Sequence, residues 1–474
     1  MSTALLWFRQ DLRLADNPAL QAAVTECEYI VPVFIDESRG NSGLHPAQSE
    51  ASHVWLHHSL IDLAAKLKAK GAELIIRRGD ALKCLQDLQS ETGATHVYWN
   101  RRYDPVGIEC DTAIKQQLSA HCQVRSFNGS LLSEPWSVLK KDDTPYRVFT
   151  AFWKAKLQRG FPELPLPEPA RLTGAAQYIH GLKIEELEYL PAIRWDIAMM
   201  AHWQVGEDAA HEALDALLEQ RITHYQTRRD LPAETGTSQL SPHLHFGAIS
   251  PRQILHRAES YLADNPAAET GVRCFLSEIG WREFAYYLLY HFPQTVSESL
   301  DQRFKVFPWR AADDYTEDLQ RWQQGQTGFP IIDAGMRQLW ATGWMHNRVR
   351  MIVASLLTKN LLVPWQTGEQ WFRNTLVDAD LASNTMGWQW VAGCGADAAP
   401  YFRIFNPVLQ SEKFDKGGEY IRRWVPELRD RDNKSIHQPR VLGDGVKNYP
   451  LPVVDLKTSR QRALERFGVI KKPL

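Results

Sequence analysis

The sequence predicts an α/β domain, a long linker and then an all-helical domain. The α/β part is expected to be a five-stranded parallel sheet, doubly wound. Three observations predict this. Short apolar runs alternate with helical patterns from the N-terminus to Leu132. Proline clusters and polar stretches break that pattern from Ser133 to Trp203. After about Glu207 apolar residues recur at helical spacing, with no convincing alternating strand. The expected domains are therefore 1–132, 133–203 and 204–474, in a chain of 474 residues that is too long for a single core.

The strands are expected at ALLWFR (4–9), YIVPVFID (29–36), ELIIRRG (73–79), HVYWNRRY (96–103) and VRSFNGSLL (124–132). Helical patterns lie between them at 17–25, 53–69, 80–90 and 107–120. Such alternation implies parallel strands with helices on both faces. No GxGxxG follows the first strand and no P-loop occurs, which argues against a dinucleotide or NTP site of those types. The linker contains FPELPLPEPA (161–170) and one helical stretch near 149–159. Further helices are expected near 208–228, 251–263, 268–291, 315–324, 330–342, 345–361 and 366–376.

A net charge of −2 leaves no global electrostatic footprint for nucleic acid, so any such contact needs a local basic patch. The six cysteines are scattered, without a CxxC or a metal-ligand spacing, which fits a reducing compartment. No signal-peptide pattern and no 18-residue apolar run is present, so the expectation is a cytoplasmic protein without a membrane segment. Seventeen tryptophans, most of them after Arg194, suggest either a large aromatic helical core or indoles used for stacking and electron hopping.

The stretch Gly343 to Trp390 combines these features. Met345, Val349, Ile352, Val353, Leu356 and Leu357 recur at helical spacing, and so do Trp344, Asn347, Arg348 and Met351. Asp378, Asp380, Asn384, Trp388 and Trp390 follow within fifteen residues. Carboxylates, an amide and indoles suit a buried heterocycle with hydrogen-bonding edges; singly, each also suits a capped helical core. In the loop LPAETGTSQLSPHLHFGAISP (231–251), Thr237, Ser238 and Ser241 with nearby N–H groups can cradle a phosphate or simply cap helices, and Ser250 before Pro251 reads as an N-cap. In FLSEIGWREFAYYLLYHF (275–292), Glu278 and Arg282 are spaced for an exposed ion pair, while Glu278 and Trp281 would present a carboxylate and a flat ring to a pocket. GADAAPYFRIFNPVLQSEKFD (395–415) carries Arg403 and Lys413 among aromatics, a candidate phosphate-backbone rim.

Together these motifs resemble the DNA photolyase/cryptochrome family. The resemblance runs from LLWFRQDLRLADNPAL through GTSQLSPHLHFGAISPRQ, EIGWREF and TGFPIIDAGMRQLWATGWMHNRVRM to DADLASNTMGWQW and YFRIFNP. Within the family the chain looks most like a cyclobutane pyrimidine dimer photolyase of the class I type. The resemblance implies an FAD-binding helical domain, UV-damaged DNA as substrate, and light-driven splitting of a flipped-out dimer by an electron from reduced FAD.

Carried over by motif, Tyr225, Thr237, Ser238, Gln239, Leu240 and Ser241 look like flavin phosphate and ribityl contacts. Phe275, Arg282, Asn347, Arg350, Asp378, Ala379, Asp380 and Asn384 look like further flavin neighbours, with Asn384 at the reactive edge of the ring. Glu278, Trp281, Asn347, Arg348, Met351 and Trp390 look like the dimer pocket, in which Glu278, Met351 and Asn384 are the candidate catalytic groups. Arg229, Arg403 and Gln410 look like DNA contacts. Trp388, Trp365 and Trp309 look like an electron-transfer chain, with Trp322 as the alternative outer member. No metal, no obligate protein partner and a monomer are expected.

The antenna is left open. YDPVG (103–107) puts Val106 and Gly107 where folate-binding relatives often keep an Asn–Glu pair, and LHPAQSEASHVWLHHSL (44–60) looks like other subgroups. The chromophore is then 5,10-methenyltetrahydrofolate, a deazaflavin or none. A (6-4) photolyase is the first alternative, disfavoured because Met345, His346 and Asn347 replace its paired histidines. A cryptochrome photoreceptor is the second, disfavoured by Asn384 and by a chain ending at Leu474 without a long disordered tail.

Overall fold

The computed structural model describes residues 2–37, 50–160, 163–175, 178–398, 402–439 and 449–471. Parts of three sequence features thus lie outside the described residues: 44–49 of the antenna segment, 161–162 of the proline cluster and 399–401 of the basic loop. The chain forms two compact units. One contains Met1–Tyr146, Thr150–Thr223 and Ser238–Pro293; the other contains Arg147–Phe149, His224–Thr237 and Gln294–Leu474.

The first unit opens with the expected sheet: β1 (Thr3–Phe8), α1 (Pro18–Glu26), β2 (Tyr29–Asp36), α2 (Glu50–Lys70), β3 (Ile75–Arg78), α3 (Ala81–Thr92), β4 (His96–Asn100), α4 (Pro105–Leu118) and β5 (Gln123–Phe127). The strands lie in the order β3-β2-β1-β4-β5, every pairing parallel, with Leu5 opposite both Val31 and Val97. Helix starts follow from local chemistry. The side chains of Asn17, Asp80 and Asp104 accept from the N–H of Leu20, Lys83 and Gly107, and Pro18 and Pro105 open the first turns of α1 and α4.

β1 and β3 end one residue before their expected last residue, and two strands stop well short of it. β4 stops at Asn100 because Asp104 caps the next helix and turns Arg102 back onto itself, Nε to Oδ2 at 2.8 Å. β5 stops at Phe127 because Asn128 Oδ1 accepts from Ser130 N (3.2 Å) and Leu131 N (3.0 Å), an Asx turn that competes with the ladder.

The following stretch holds α5 (Phe149–Leu157) and the short α6 (Asp196–Met200). Its backbone is tied along the sheet: Leu172 N donates to Lys70 O at 2.8 Å, Ile30 N to Thr173 O at 2.9 Å and Leu182 N to Ile76 O at 3.0 Å. Next come α7 (Glu207–Gln220), α8 (Tyr225–Arg228), α9 (Ser241–His245), α10 (Pro251–Asp264) and α11 (Glu269–His291). A single helix over 208–228 is not formed. α7 ends at Gln220, and a Cβ on Gly271 would lie 1.7 Å from the Ile222 carbonyl oxygen, so the chain bends where α11 presses on it. Ser250 caps α10 as expected, in a capping box with Gln253.

The second unit carries α12 (Ala312–Gln323), α13 (Pro330–Thr342), α14 (Asn347–Ser355), α15 (Trp365–Thr375), α16 (Leu381–Ala392), α17 (Pro407–Phe414), α18 (Glu419–Trp424) and α19 (Leu456–Lys471). The helix expected over 345–361 starts at Asn347, where His346 Nδ1 accepts from Arg348 N at 3.1 Å, and its last turn widens into a π-helix over Leu356–Asn360. Met345, Val349, Ile352, Val353, Leu356 and Leu357 all lie in one core cluster, as their spacing predicts. Helices α16 to α19 were not expected. α16 is rich in apolar residues around its circumference, so no one-sided stripe marks it. No helix among the described residues is long and apolar enough to cross a membrane.

Burial of His243, whose ring packs edge-on against Trp55 at 5.3 Å, pushes its imidazole from 6.5 down to about 4. The unfolded chain therefore binds a proton that the folded one refuses, and stability falls as pH drops from about 6.5 towards 4. We expect this residue to cost about 1 kcal/mol between pH 7 and 5.5. Urea unfolding of parent and His243→Phe at the two pH values checks it: the difference in stability between the two proteins must shift with pH in favour of the phenylalanine variant.

Candidate functional site

In the second unit, the segment from α14 to α16 carries eleven of the candidate site residues that the sequence singled out. Gly343 ends α13 in the left-handed conformation, and its carbonyl accepts from Val377 N at 2.8 Å, pinning the Asp378–Asp380 turn beside the start of α14. Arg350 then donates through Nη2 to Asp378 Oδ2 (2.8 Å) and through Nε to the Met345 carbonyl (2.7 Å). Asp380 caps α16 by accepting from Ser383 N at 2.8 Å. Ala379 lies between them, packed on the core.

Asn384, one turn into α16, has its amide fixed by a partner the sequence reading missed. Its Nδ2 donates to the Glu369 carbonyl (3.1 Å) and to Glu369 Oε1 (2.9 Å), which leaves the Asn384 oxygen as the other polar end. Glu369 is buried, and Arg373 one turn later in α15 clamps both of its oxygens at 2.7 Å. Burial raises the Glu369 carboxyl pKa, while Arg373 and Asn384 oppose that rise. The i,i+4 spacing of Glu369 and Arg373 was the available signal.

Arg348 and Met351 lie on α14, with Asn347 exposed at its first position. Arg348 is held by Asp230 and lies over the Phe414 ring, 4.4 Å from its centroid. The Met351 sulfur is 3.9 Å from Arg348 Nη1. Tyr225 is buried, with the Arg229 guanidinium 5.9 Å from its ring, and Thr237 is half-buried. Trp390 packs half-buried on the core, Arg403 is exposed, and Gln410 is half-buried on α17.

Trp388 is buried against Phe372 (5.0 Å) and Trp322 (6.2 Å), both edge-on. Gly368 makes room for it, since a Cβ there would meet the indole at 2.2 Å. Trp365 is buried and donates to Ser299 Oγ at 3.2 Å; among the described residues it is not in ring contact with Trp388. Trp309 is half-buried against Phe307 at 4.4 Å. Trp322, the alternative outer indole, is thus the tryptophan in ring contact with Trp388.

The first unit carries the remaining residues. α11 is oriented by Glu283, buried, whose carboxylate accepts from Leu132 N (3.0 Å to each oxygen) and from Lys156 Nζ (2.9 Å). Phe275 is buried, Glu278 is half-buried, and Trp281 meets Phe284 edge-on at 6.1 Å. Arg282 donates to the Ser130 carbonyl at 2.8 Å and lies over Tyr286. In the TSQLS loop, Ser238 Oγ accepts from Leu240 N at 3.3 Å, Leu240 is buried and Ser241 begins α9. Gln239 sits at φ 56°, a left-handed conformation costly for a side chain with a Cβ and not readable from composition.

The residues fit a flavin on one observation in particular. Thr385 Oγ1 and Trp388 Nε1, beside Asn384 on α16, are buried without a hydrogen-bond partner among the described residues. Buried polar atoms without partners are rare, and a heterocycle with donors and acceptors on its edge is the kind of group that supplies them.

Comparison with known proteins agrees. Residues 4–170 match the DNA photolyase family and residues 275–469 the FAD binding domain of DNA photolyase. A deoxyribodipyrimidine photo-lyase of Agrobacterium fabrum is 46% identical, over 99% of this chain and 98% of that protein. Cryptochrome-2 of Arabidopsis thaliana is 39% identical, over 96% of this chain and 77% of that protein. The crystal structure of a bacterial class III photolyase from Agrobacterium tumefaciens superposes with a TM-score of 0.93 at 45% identity, covering 100% of this chain and 98% of that one. The five-stranded parallel sheet and the helical C-terminal region are the architecture of these relatives, and the chain belongs to the DNA photolyase/cryptochrome family.

Proposed function

We propose that this protein is a deoxyribodipyrimidine photo-lyase that repairs cyclobutane pyrimidine dimers in UV-damaged DNA with bound FAD. The observation that carries the reading is the amide of Asn384, held by buried Glu369, on the helix whose Thr385 Oγ1 and Trp388 Nε1 are buried without a partner among the described residues. An amide at this position suits a repair enzyme, where plant and animal cryptochromes generally carry Asp or Cys. The motifs resemble class I enzymes, but full-length identity to a class III photolyase is broader support, and we assign the chain to that subgroup.

FAD, when bound and reduced, supplies the light-excited electron that opens the dimer. The chain's residues bind and orient. Thr237, Ser238, Gln239, Leu240 and Ser241 hold the phosphate and ribityl part, with Tyr225 beside them. Phe275, Arg282, Asn347, Arg350, Asp378, Ala379, Asp380 and the Asn384 amide would hold the flavin ring system. Glu278 would hydrogen-bond the extruded bases, Trp281 and Trp390 would stack on or flank them, and Asn347, Arg348 and Met351 would contact the lesion. Arg229, Arg403 and Gln410 contact the DNA backbone. Trp388, Trp365 and Trp309 would supply electrons to the flavin. The protein works as a cytoplasmic monomer; an antenna, folate or deazaflavin, is left to the spectrum to identify.

The deciding experiment is an absorption spectrum of the purified protein, then illumination with an oligonucleotide bearing one thymine dimer. We expect a flavin spectrum and loss of the dimer in light only; a colourless protein or an unrepaired dimer overturns the reading. Trp281→Ala is expected to weaken binding of dimer-containing DNA by ~1–3 kcal/mol, measured by titration, with a smaller effect on undamaged DNA. Trp388→Phe is expected to abolish light-driven reduction of the oxidised protein, followed by absorbance, while chemically reduced enzyme still repairs. Loss of both would make Trp388 structural.

A further inference from the structure

Arg348 is not a free cation waiting for DNA. Its Nη2 is 2.8 Å from Asp230 Oδ2, its guanidinium lies 4.4 Å from the Phe414 centroid, and its Nη1 is 3.9 Å from the Met351 sulfur. Its Nε is buried with no partner among the described residues. The side chains of Arg348 and Asp230 are only 21% and 32% exposed.

Asp230 is itself held in a rigid turn. Leu231 N donates to the Arg228 carbonyl at 3.1 Å, Glu234 N to the Leu231 carbonyl at 3.1 Å, and Arg423 to the Ala233 carbonyl at 3.3 Å. A Cβ on Gly236 would lie 2.2 Å from the Arg228 carbonyl oxygen, so the turn is closed tightly on itself. The carboxylate therefore meets the guanidinium from a fixed backbone position.

Two physical effects follow from this clasp. The ring and the carboxylate fix the plane of an otherwise flexible side chain, which lowers the ordering cost of a directed hydrogen bond. The carboxylate also cancels the field of the guanidinium beyond a few ångströms, so Arg348 adds little to the sequence- and damage-independent attraction of phosphate. Discrimination against the wrong partner often rests on such a repulsive element.

We propose that Asp230 is a specificity-determining positioning residue, which holds Arg348 for the extruded lesion and suppresses its binding to undamaged DNA. This rests on the photolyase reading and adds to it a residue that acts through Arg348.

The test uses full-length, FAD-loaded protein and two duplexes alike except for one thymine dimer, titrated between about 50 and 200 mM salt. For Asp230→Asn, binding to the undamaged duplex is expected to tighten about fivefold at the lowest salt, and the slope of log K against log salt to steepen by roughly 0.9, one phosphate contact. Affinity for the dimer duplex changes less, so the damaged-to-undamaged ratio falls. Asp230→Glu restores the ratio, and Asp230→Asn in an Arg348→Gln background changes neither ratio nor slope. Circular dichroism and flavin absorbance report folding, and Asp230→Ser replaces a variant that fails to fold. An unchanged ratio and slope in Asp230→Asn, or the same change without Arg348, overturns the proposal. A parent protein that binds both duplexes alike overturns the repair reading itself, and the proposal with it.

Discussion

The orientation of α11 depends on the buried carboxylate of Glu283. A charge taken out of water costs several kcal/mol unless it is paired, and this one is paired with the Leu132 N–H, shared between its two oxygens, and with one lysine. The helix therefore cannot rotate without stranding it. At 100° per residue, Glu278 and Trp281 then project about 140° and about 160° away from Glu283. One inward carboxylate thus determines which way a carboxyl group and a flat ring face, before any ligand is considered.

The same device recurs. Asp16 accepts from Leu166 N and Ser250 Oγ and pairs with Arg252, and Glu207 accepts from the N–H groups of Leu14 and Ala15, all within the first unit. In the second unit Asp333 accepts from Thr327 N, Gly328 N and Tyr449 OH and organises the entry to α13. Each joins segments far apart in the chain. Loop segments are thereby tied to residues distant in the chain.

Around the candidate site three polar side chains are paired in advance. Arg350 has Asp378, Arg348 has Asp230 and Asn384 has Glu369. A chain of net charge −2 can then act on a polyanion through a few directed groups rather than through a broad positive field. Pre-pairing also means that binding need not order these side chains afresh, which is where affinity is most often lost.

Much of this was legible in the residues. The strands, the parallel alternation, the capped helices of the sheet domain and the core face of α14 follow from periodicity and from Asn, Asp and Ser at helix starts, because those signals are local. The motifs that name the family are local too. α16 stayed hidden because apolar residues around the whole circumference leave no stripe to read. The partners Glu369 for Asn384, Asp230 for Arg348 and Glu283 for Leu132 also stayed hidden, and so did the ring that Trp388 touches, since each depends on segments distant in sequence. What the chain determined by itself was the sheet, the helices with a clear apolar stripe and the chemistry they carry. Only the tertiary structure decided which carboxylate meets which cation, because a hydrogen bond is made across a few ångströms of space and the sequence records only distance along the chain.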